Sequence, residues 1–279
     1  GGFIRREDIS GIEINSMEGT VVFERKGDAW EILKPAGLIP GETQINSLLS
    51  DISNLRCESY LDKNDLKGDP GFNASDAVTV SVHFGQRTAV LKIGGEKDSS
   101  NRFATIEGSG EFFSIANYNY NKFNKKPEDY RNKKIFGFAT DDIQKIELAH
   151  PDETVEIERV EGEKKWKMTK PSENPNLKTE TVDSIAGTIA NLQVKEFVKG
   201  KSPVEVKLAK GCFEARVTTK SGTQHRLFIS SEKKDNDNYA RTTQQPFTNE
   251  IFTINTYQAK NIMKHAGEII ADPNLPLPK

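Results

Sequence analysis

The stretch FERKGDAWEILKP (residues 23–35) returns later in the chain as IERVEGEKKWKMTKP (residues 157–171). Both copies hold a Glu-Arg pair, a polar turn, a tryptophan (Trp30 and Trp166) and a closing Lys-Pro (Pro35 and Pro171). The turn is longer in the second copy, KGDA becoming VEGEKK. Four further blocks repeat in the same order. ISGIEI (9–14) returns as IQKIEL (143–148), and TQINSLLSDISNL (43–55) as ETVDSIAGTIANL (180–192). GEKDSSNRFA (95–104) returns as SEKKDNDNYA (231–240), and FFSIANYNYNKF (112–123) as IFTINTYQAKNI (251–262). The offset drifts from 134 to 139 and changes only at turns. Chance does not keep five blocks in order, so the chain is a tandem duplication of an ordinary domain-sized unit. The units are read as residues 1–134 and 135–270, followed by an extended, Pro-rich tail over 271–279.

Inside one unit the hydrophobic periods define the elements. Ile12 and Ile14 alternate with polar residues, as do Val21 and Phe23, and Val78, Val80, Val82 and Phe84. Such period-2 patterns mark half-buried strands. Lys26-Gly27-Asp28 and Gly85-Gln86 are hairpin turns between them. Val90, Leu91 and Ile93, then Phe103 and Ile106, then Phe112, Phe113 and Ile115 supply more strands. Ile45, Leu48, Leu49, Ile52 and Leu55 fall on one helical face, and Val182, Ile185, Ala186, Ile189 and Leu192 reproduce it. A short helix over 119–126 closes the unit. The expected fold class is α+β: two tandem homologous units, each a mainly antiparallel β-sheet with one long and one short helix. Ile135, Phe136 and Phe138 make the junction too apolar for a free linker, and the units are expected to pack against each other there.

Composition narrows the function classes. The chain has 279 residues and a net charge of −2, from 39 basic and 41 acidic residues. Residues 1–140 hold 18 basic and 20 acidic groups, the remainder 21 of each, so neither half carries the footprint of a nucleic-acid binder. No apolar run is long enough to cross a bilayer as a helix. The opening Gly1-Gly2 reads as a cloning remnant left by trimming, which would have removed an N-terminal anchor. Cys57 and Cys212 are read as two unpaired, buried thiols, with a single disulfide as the alternative.

No group stands out as catalytic, cofactor-binding or metal-ligating. His83, His150, His225 and His265 follow no metal spacing. His225 is aligned with Thr88. The run KKDNDNY (233–239) offers alternating oxygens but lacks the glycine and glutamate of a calcium loop. KIGGE (92–96) is read as a turn glycine pair, and Asn73-Ala74-Ser75 as an accidental sequon. Trp30 and Trp166, with Pro35, Pro171, Phe136 and Phe138, are taken as structural core markers. The chain is therefore expected to be no enzyme and to carry no cofactor, unless folding gathers buried, perturbed carboxylates.

Several of these residues carry a family resemblance. They are the hairpin Trp30 to Pro35, the helix ending Asn54-Leu55, Gly71-Phe72 before AVTVSV, the strand VLKIGG, and DYRNKKIFGF (129–138). Together they resemble the bacterial family catalogued as domain of unknown function 4340, whose junction reads D-L-R-x-K-x-L-F-x-F. Ser75 stands near where that family usually has a proline. The resemblance implies an extracytoplasmic body carried by one N-terminal transmembrane helix, often encoded beside ABC-transporter permeases. The function it implies is a scaffold or interaction module in a membrane protein complex, with an ABC-transporter permease as partner. The alternative is a binding module for a glycan, peptide or small molecule in a cleft between the two units.

Overall fold

A computed structural model describes residues 4–66 and 68–271. Gly1-Gly2 and the Pro-rich tail beyond Ala271 lie outside the described residues. The chain forms two compact units, the first ending at Asn132 and the second beginning at Lys133.

The first unit contains β1 (Ile9–Ser16), β2 (Gly19–Lys26), β3 (Ala29–Lys34), α1 (Glu42–Ser53), β4 (Ser59–Leu61), β5 (Val78–Phe84), β6 (Arg87–Glu96), β7 (Asn101–Ile106), β8 (Phe112–Ala116) and α2 (Asn117–Phe123). The second contains β9 (Ile143–Ala149), β10 (Thr154–Arg159), β11 (Trp166–Lys170), α3 (Thr179–Ala190), β12 (Glu196–Val198), β13 (Phe213–Thr219), β14 (Gln224–Lys234), β15 (Asp237–Thr242), β16 (Ile251–Ile254), α4 (Thr256–Ile262) and a one-turn α5 (Ala266–Ile269). Each unit builds one eight-stranded antiparallel sheet. The strand orders are β3-β2-β1-β5-β6-β7-β8-β4 and β11-β10-β9-β13-β14-β15-β16-β12. Position by position the two orders are the same, so the duplication is a duplication of topology. The fold is α+β, made of two similar units.

The register explains the alternation. Ile12 faces Val82 and Ile14 faces Val80 across β1 and β5. Ile146 faces Val217 and Leu148 faces Ala215 across β9 and β13. These residues are buried and form the sheet side of each core. The helix side comes from Ile45, Leu48 and Leu49 on α1 and from Val182, Ile185, Ala186 and Ile189 on α3. The short helix α2 begins and ends earlier than the period suggested, at Asn117–Phe123.

Two local expectations change. The KIGGE glycines are not in a turn: Gly94 and Gly95 lie inside β6. The carbonyl of Pro70 accepts from Gly95 N–H at 2.9 Å, and a Cβ on Gly94 would meet that carbonyl at 2.2 Å. Glycine is there for close backbone approach. The expected burial of both thiols fails at Cys57, which is free and exposed, whereas Cys212 is free and half-buried. The apolar residues of the junction belong to the second unit: Ile135 and Phe136 are buried in that unit's own core, with Phe138 packed against it.

Candidate functional site

The two copies of one fold serve as controls for each other. Where they differ, the difference marks a surface that packing alone did not require.

The tryptophans are the first difference. Trp166 is 2 % exposed; its indole Nε1–H donates to Asp183 Oδ1 at 2.8 Å, and the Arg159 guanidinium lies 4.1 Å above the ring. Trp30 is only half-buried, and its indole N–H has no partner among the described residues. The residue aligned with Asp183 is Asn46, which instead accepts from Arg6 Nη2 at 3.1 Å. Arg25, aligned with Arg159, turns to the carbonyls of Glu7 (2.8 Å) and Gly27 (3.1 Å). The result is an open groove of about 680 Å³ lined by Arg6, Arg25, Trp30, Gly41, Glu42 and Asn46 among others. A depression of about 570 Å³ in the second unit is lined by Arg159, Asp183 and Lys220 but does not reach Trp166. Pro35 is half-buried and Pro171 exposed; both Lys-Pro bonds are cis.

A second difference lies at the other end of the long helix. After α3, Leu192 and Val194 are buried and hydrogen-bond an extended piece of the junction. Ile135 N–H donates to Leu192 O (3.1 Å), and Val194 N–H donates to Lys133 O (2.8 Å). This pairing delivers Ile135 and Phe136 into the core. Phe136 stacks with Phe138 at 5.2 Å, and Phe138 meets the His225 ring at 4.7 Å. Phe247, 1 % exposed, fills the same region, with ring centroids 5.9 Å from Phe197 and 6.3 Å from Phe252.

Among the described residues, the first unit has none of this filling. Leu55 is half-buried and Cys57 is exposed, whereas Leu192 and Val194 are buried. Tyr60, aligned with Phe197, is 73 % exposed. The β15–β16 loop that carries Phe247 spans 243–250, but the β7–β8 loop only 107–111, with no aromatic residue. Sheet register aligns His225 with Ala89, not Thr88, since Val82 pairs with Ala89 and Val217 with His225. What remains is an apolar pocket of about 350 Å³ walled by Ile4, Ile52, Leu55, Cys57, Ala89 and Phe113, with other aliphatic side chains at its floor and Glu111 beside it. Beside the pocket, Cys57 N–H and Leu55 C=O have no hydrogen-bond partner among the described residues.

The titratable groups take ordinary places. His83 is exposed and meets Thr88 Oγ1 at 2.9 Å. His150 stacks on His265 at 3.9 Å and contacts Lys264 O at 3.1 Å. Burial pushes the His150 pKa down, and His265 is held by Glu153 at 2.9 Å. Among the described residues, Glu156 and Glu214 are the buried carboxylates. Burial pushes both pKa values up, but hydrogen bonds from Lys145, Thr169 and Lys170, and from Arg216 and Arg226, outweigh it and lower both. Lowered values keep these groups as ion-paired carboxylates on the sheet face; a general acid needs the opposite shift. No cluster of metal-ligating side chains occurs among the described residues. In the 233–239 run, residues 235 and 236 form the tight turn between β14 and β15, and the rest pairs as the strand ends.

Sequence reading missed the pocket, although one signal pointed to it. The repeat offset jumps from 136 at Ala104/Ala240 to 139 at Phe113/Phe252, which is the insertion that carries Phe247.

No curated protein and no solved structure matches the chain significantly. A family profile, "Domain of unknown function (DUF4340)", matches residues 68–211, from just before β5 to just before β13. This span is more than half of the chain and includes the DYRNKKIFGF junction, so the chain belongs to the DUF4340 family.

Proposed function

We propose that the chain is a non-catalytic interaction module, the extracytoplasmic and membrane-anchored body of an accessory protein in an ABC-type transport complex. One observation carries the interaction role. Among the described residues, the second unit fills this region with its own Ile135, Phe136 and Phe247, whereas the first unit has an apolar pocket there with Cys57 and Tyr60 exposed at it. Open apolar surface is what partner recognition uses. The transport context rests on the family resemblance. The test is mild crosslinking of the full-length gene product in native membranes, followed by mass spectrometry of what co-purifies. Specific recovery of a transporter permease or ATPase is expected. Recovery of the protein alone, from a soluble fraction, would defeat the reading.

A second reading is favoured by the Trp30 groove: a binding site for a glycan or other small polar molecule. A half-exposed indole flanked by Arg6, Arg25 and Glu42 offers a stacking face with donors and an acceptor around it. Titration with a panel of neutral and acidic oligosaccharides should then change Trp30 fluorescence saturably, with the change lost in Trp30→Phe. A flat titration across the panel removes this reading.

A further inference from the structure

We propose that β3, the edge strand beside the Trp30 groove, pairs with an extended segment of a partner protein and takes an arginine of that segment over the Trp30 ring. The inference rests on the interaction-module reading and specifies the contact.

The second unit shows both halves of this arrangement made within one chain. Its edge strand β11 is capped: Met168 N–H donates to Asn174 O at 2.8 Å, and Asn174 N–H donates to Met168 O at 3.0 Å. Its tryptophan is covered: the Arg159 guanidinium lies over the Trp166 ring, and Asp183 accepts the indole N–H. The first unit has the corresponding strand at the corresponding edge, but among the described residues it has neither feature. Ile32, aligned with Met168, pairs only with β2. The segment after β3 turns away through Gly37, at φ +85°, and Pro40 bridges Arg131 instead. Arg25, across from Trp30 on β2, gives its guanidinium to two carbonyls and leaves the ring. The counterparts of Arg159, Trp166, Met168, Asn174 and Asp183 all fall within residues 25–46, which are described throughout.

Register fixes what an added strand would present. Lys26 and Ala29 flank the two-residue hairpin turn and pair there, so by alternation Trp30 and Ile32 turn their N–H and C=O groups outward. A residue facing Trp30 on an added antiparallel strand exchanges both backbone bonds with it. Its side chain then falls on the same face of the sheet as the indole, in the groove. The groove asks for a cation at that place. Asp28 and Glu42, exposed on its rim, have no hydrogen bond or ion pair among the described residues, and Glu7 adds a third carboxylate. Arg6 and Arg25 are the two guanidiniums of the rim, so three carboxylates leave it one charge negative. A guanidinium lying on the indole gains cation–π attraction together with ion pairing. Leu33 on the strand and Ile39 beside Pro40 are 48 % and 52 % exposed and offer apolar surface to the rest of the segment. Backbone pairing supplies affinity and the groove supplies selectivity.

The probe is the blocked peptide Thr-Val-Arg-Val-Thr, with citrulline in place of arginine as the control for charge. A second control carries a methyl group on the arginine backbone nitrogen. The readout is the pair of indole N–H resonances in protein carrying isotope-labelled tryptophan, assigned with Trp30→Phe, so that Trp166 is the internal reference. The Trp30 resonance should move saturably with the arginine peptide while the Trp166 resonance stays in place. The citrulline peptide should bind about fivefold more weakly, and backbone methylation should abolish binding. Asp28→Asn combined with Glu42→Gln should weaken the arginine peptide about fivefold and leave the citrulline peptide unchanged, with the fold intact by circular dichroism. A Trp30 resonance unmoved by either peptide at millimolar concentration would overturn the proposal. So would equal affinity for the two peptides. A Trp30 N–H that exchanges with solvent as slowly as that of Trp166 before any peptide is added would overturn it too, since the chain would then cover the groove itself. Oligosaccharides that move Trp30 where the peptides do not would assign the groove to a sugar. The Asp28→Asn and Glu42→Gln pair in the full-length protein separates this proposal from the broader one. If the membrane partner co-purifies undiminished, the accessory role stands and the groove is not its contact.

Discussion

Glu156 shows how much of a side chain's behaviour comes from its neighbours on adjacent strands. In sequence it is an ordinary polar position in TVEIER. In the fold its carboxylate accepts from Thr169 Oγ1 (2.8 Å) and pairs with Lys145 (2.9 Å) and Lys170 (3.1 Å). Burial alone would raise its pKa; the three partners outweigh burial and hold it at about 2. An unfolded glutamate titrates at about 4.3. A depressed folded value means that the stabilisation is complete above pH ~4.3 and disappears as pH falls through the folded pKa. Allowing for solvent around the exposed lysines, the loss is on the order of 2 kcal/mol. Urea unfolding of Glu156→Gln in steps between pH 5 and pH 2, in a Trp30→Phe background so that Trp166 reports the second unit, should show a shallower decline than the parent. Parallel declines would remove Glu156 from the acid response. None of this was legible, because Lys145 and Lys170 reach Glu156 only through the β9–β10–β11 register. The tryptophans were half legible: their alignment was plain, but the Asn46-for-Asp183 exchange that accompanies one indole open and one closed has no periodic signature.

The helices and strands were readable wherever one face meets a core, because burial imposes a period. β5 alternates perfectly and is found at Val78–Phe84. α1 and α3 follow the i, i+3, i+4 face and are each 12 residues long. The β6 glycines were misread because glycine marks both turns and close backbone approach, and only the Pro70 carbonyl distinguishes them. Gly187 is the opposite case. It sits inside α3, and a Cβ built there meets nothing within 4 Å. No positive φ occurs at this residue, so nothing in the fold needs glycine there. Gly187→Ala should therefore stabilise the second unit by about 0.5–1 kcal/mol through helix propensity and a less flexible unfolded chain. Chemical denaturation, again followed by Trp166, measures it directly. A destabilised variant would mean that the backbone at Gly187 must give way to admit a methyl group.

The duplication was the most legible feature of all, since two copies of one topology leave correlated patterns along the whole chain. What the sequence hid was the inequality of the copies. Among the described residues, the main core of the second unit gathers 30 buried side chains, and that of the first 19. The second unit adds an outer cluster of Val206, Leu208, Phe228 and Ile251 on its sheet. Buried apolar area is the main favourable term in folding, and the pocket takes contacts from the first unit's sheet and helix alike. The first unit should thus open more often. Hydrogen exchange of the intact chain in native buffer should show β13, β14 and β16 protected longer than their counterparts β5, β6 and β8. The gap should be widest between the segments after the two long helices, because Val194 is buried with its N–H bonded to Lys133 O, whereas Cys57 is exposed. Equal protection of the two sheets would mean that the open pocket costs the first unit nothing, and that its smaller core is packed as well as the larger one.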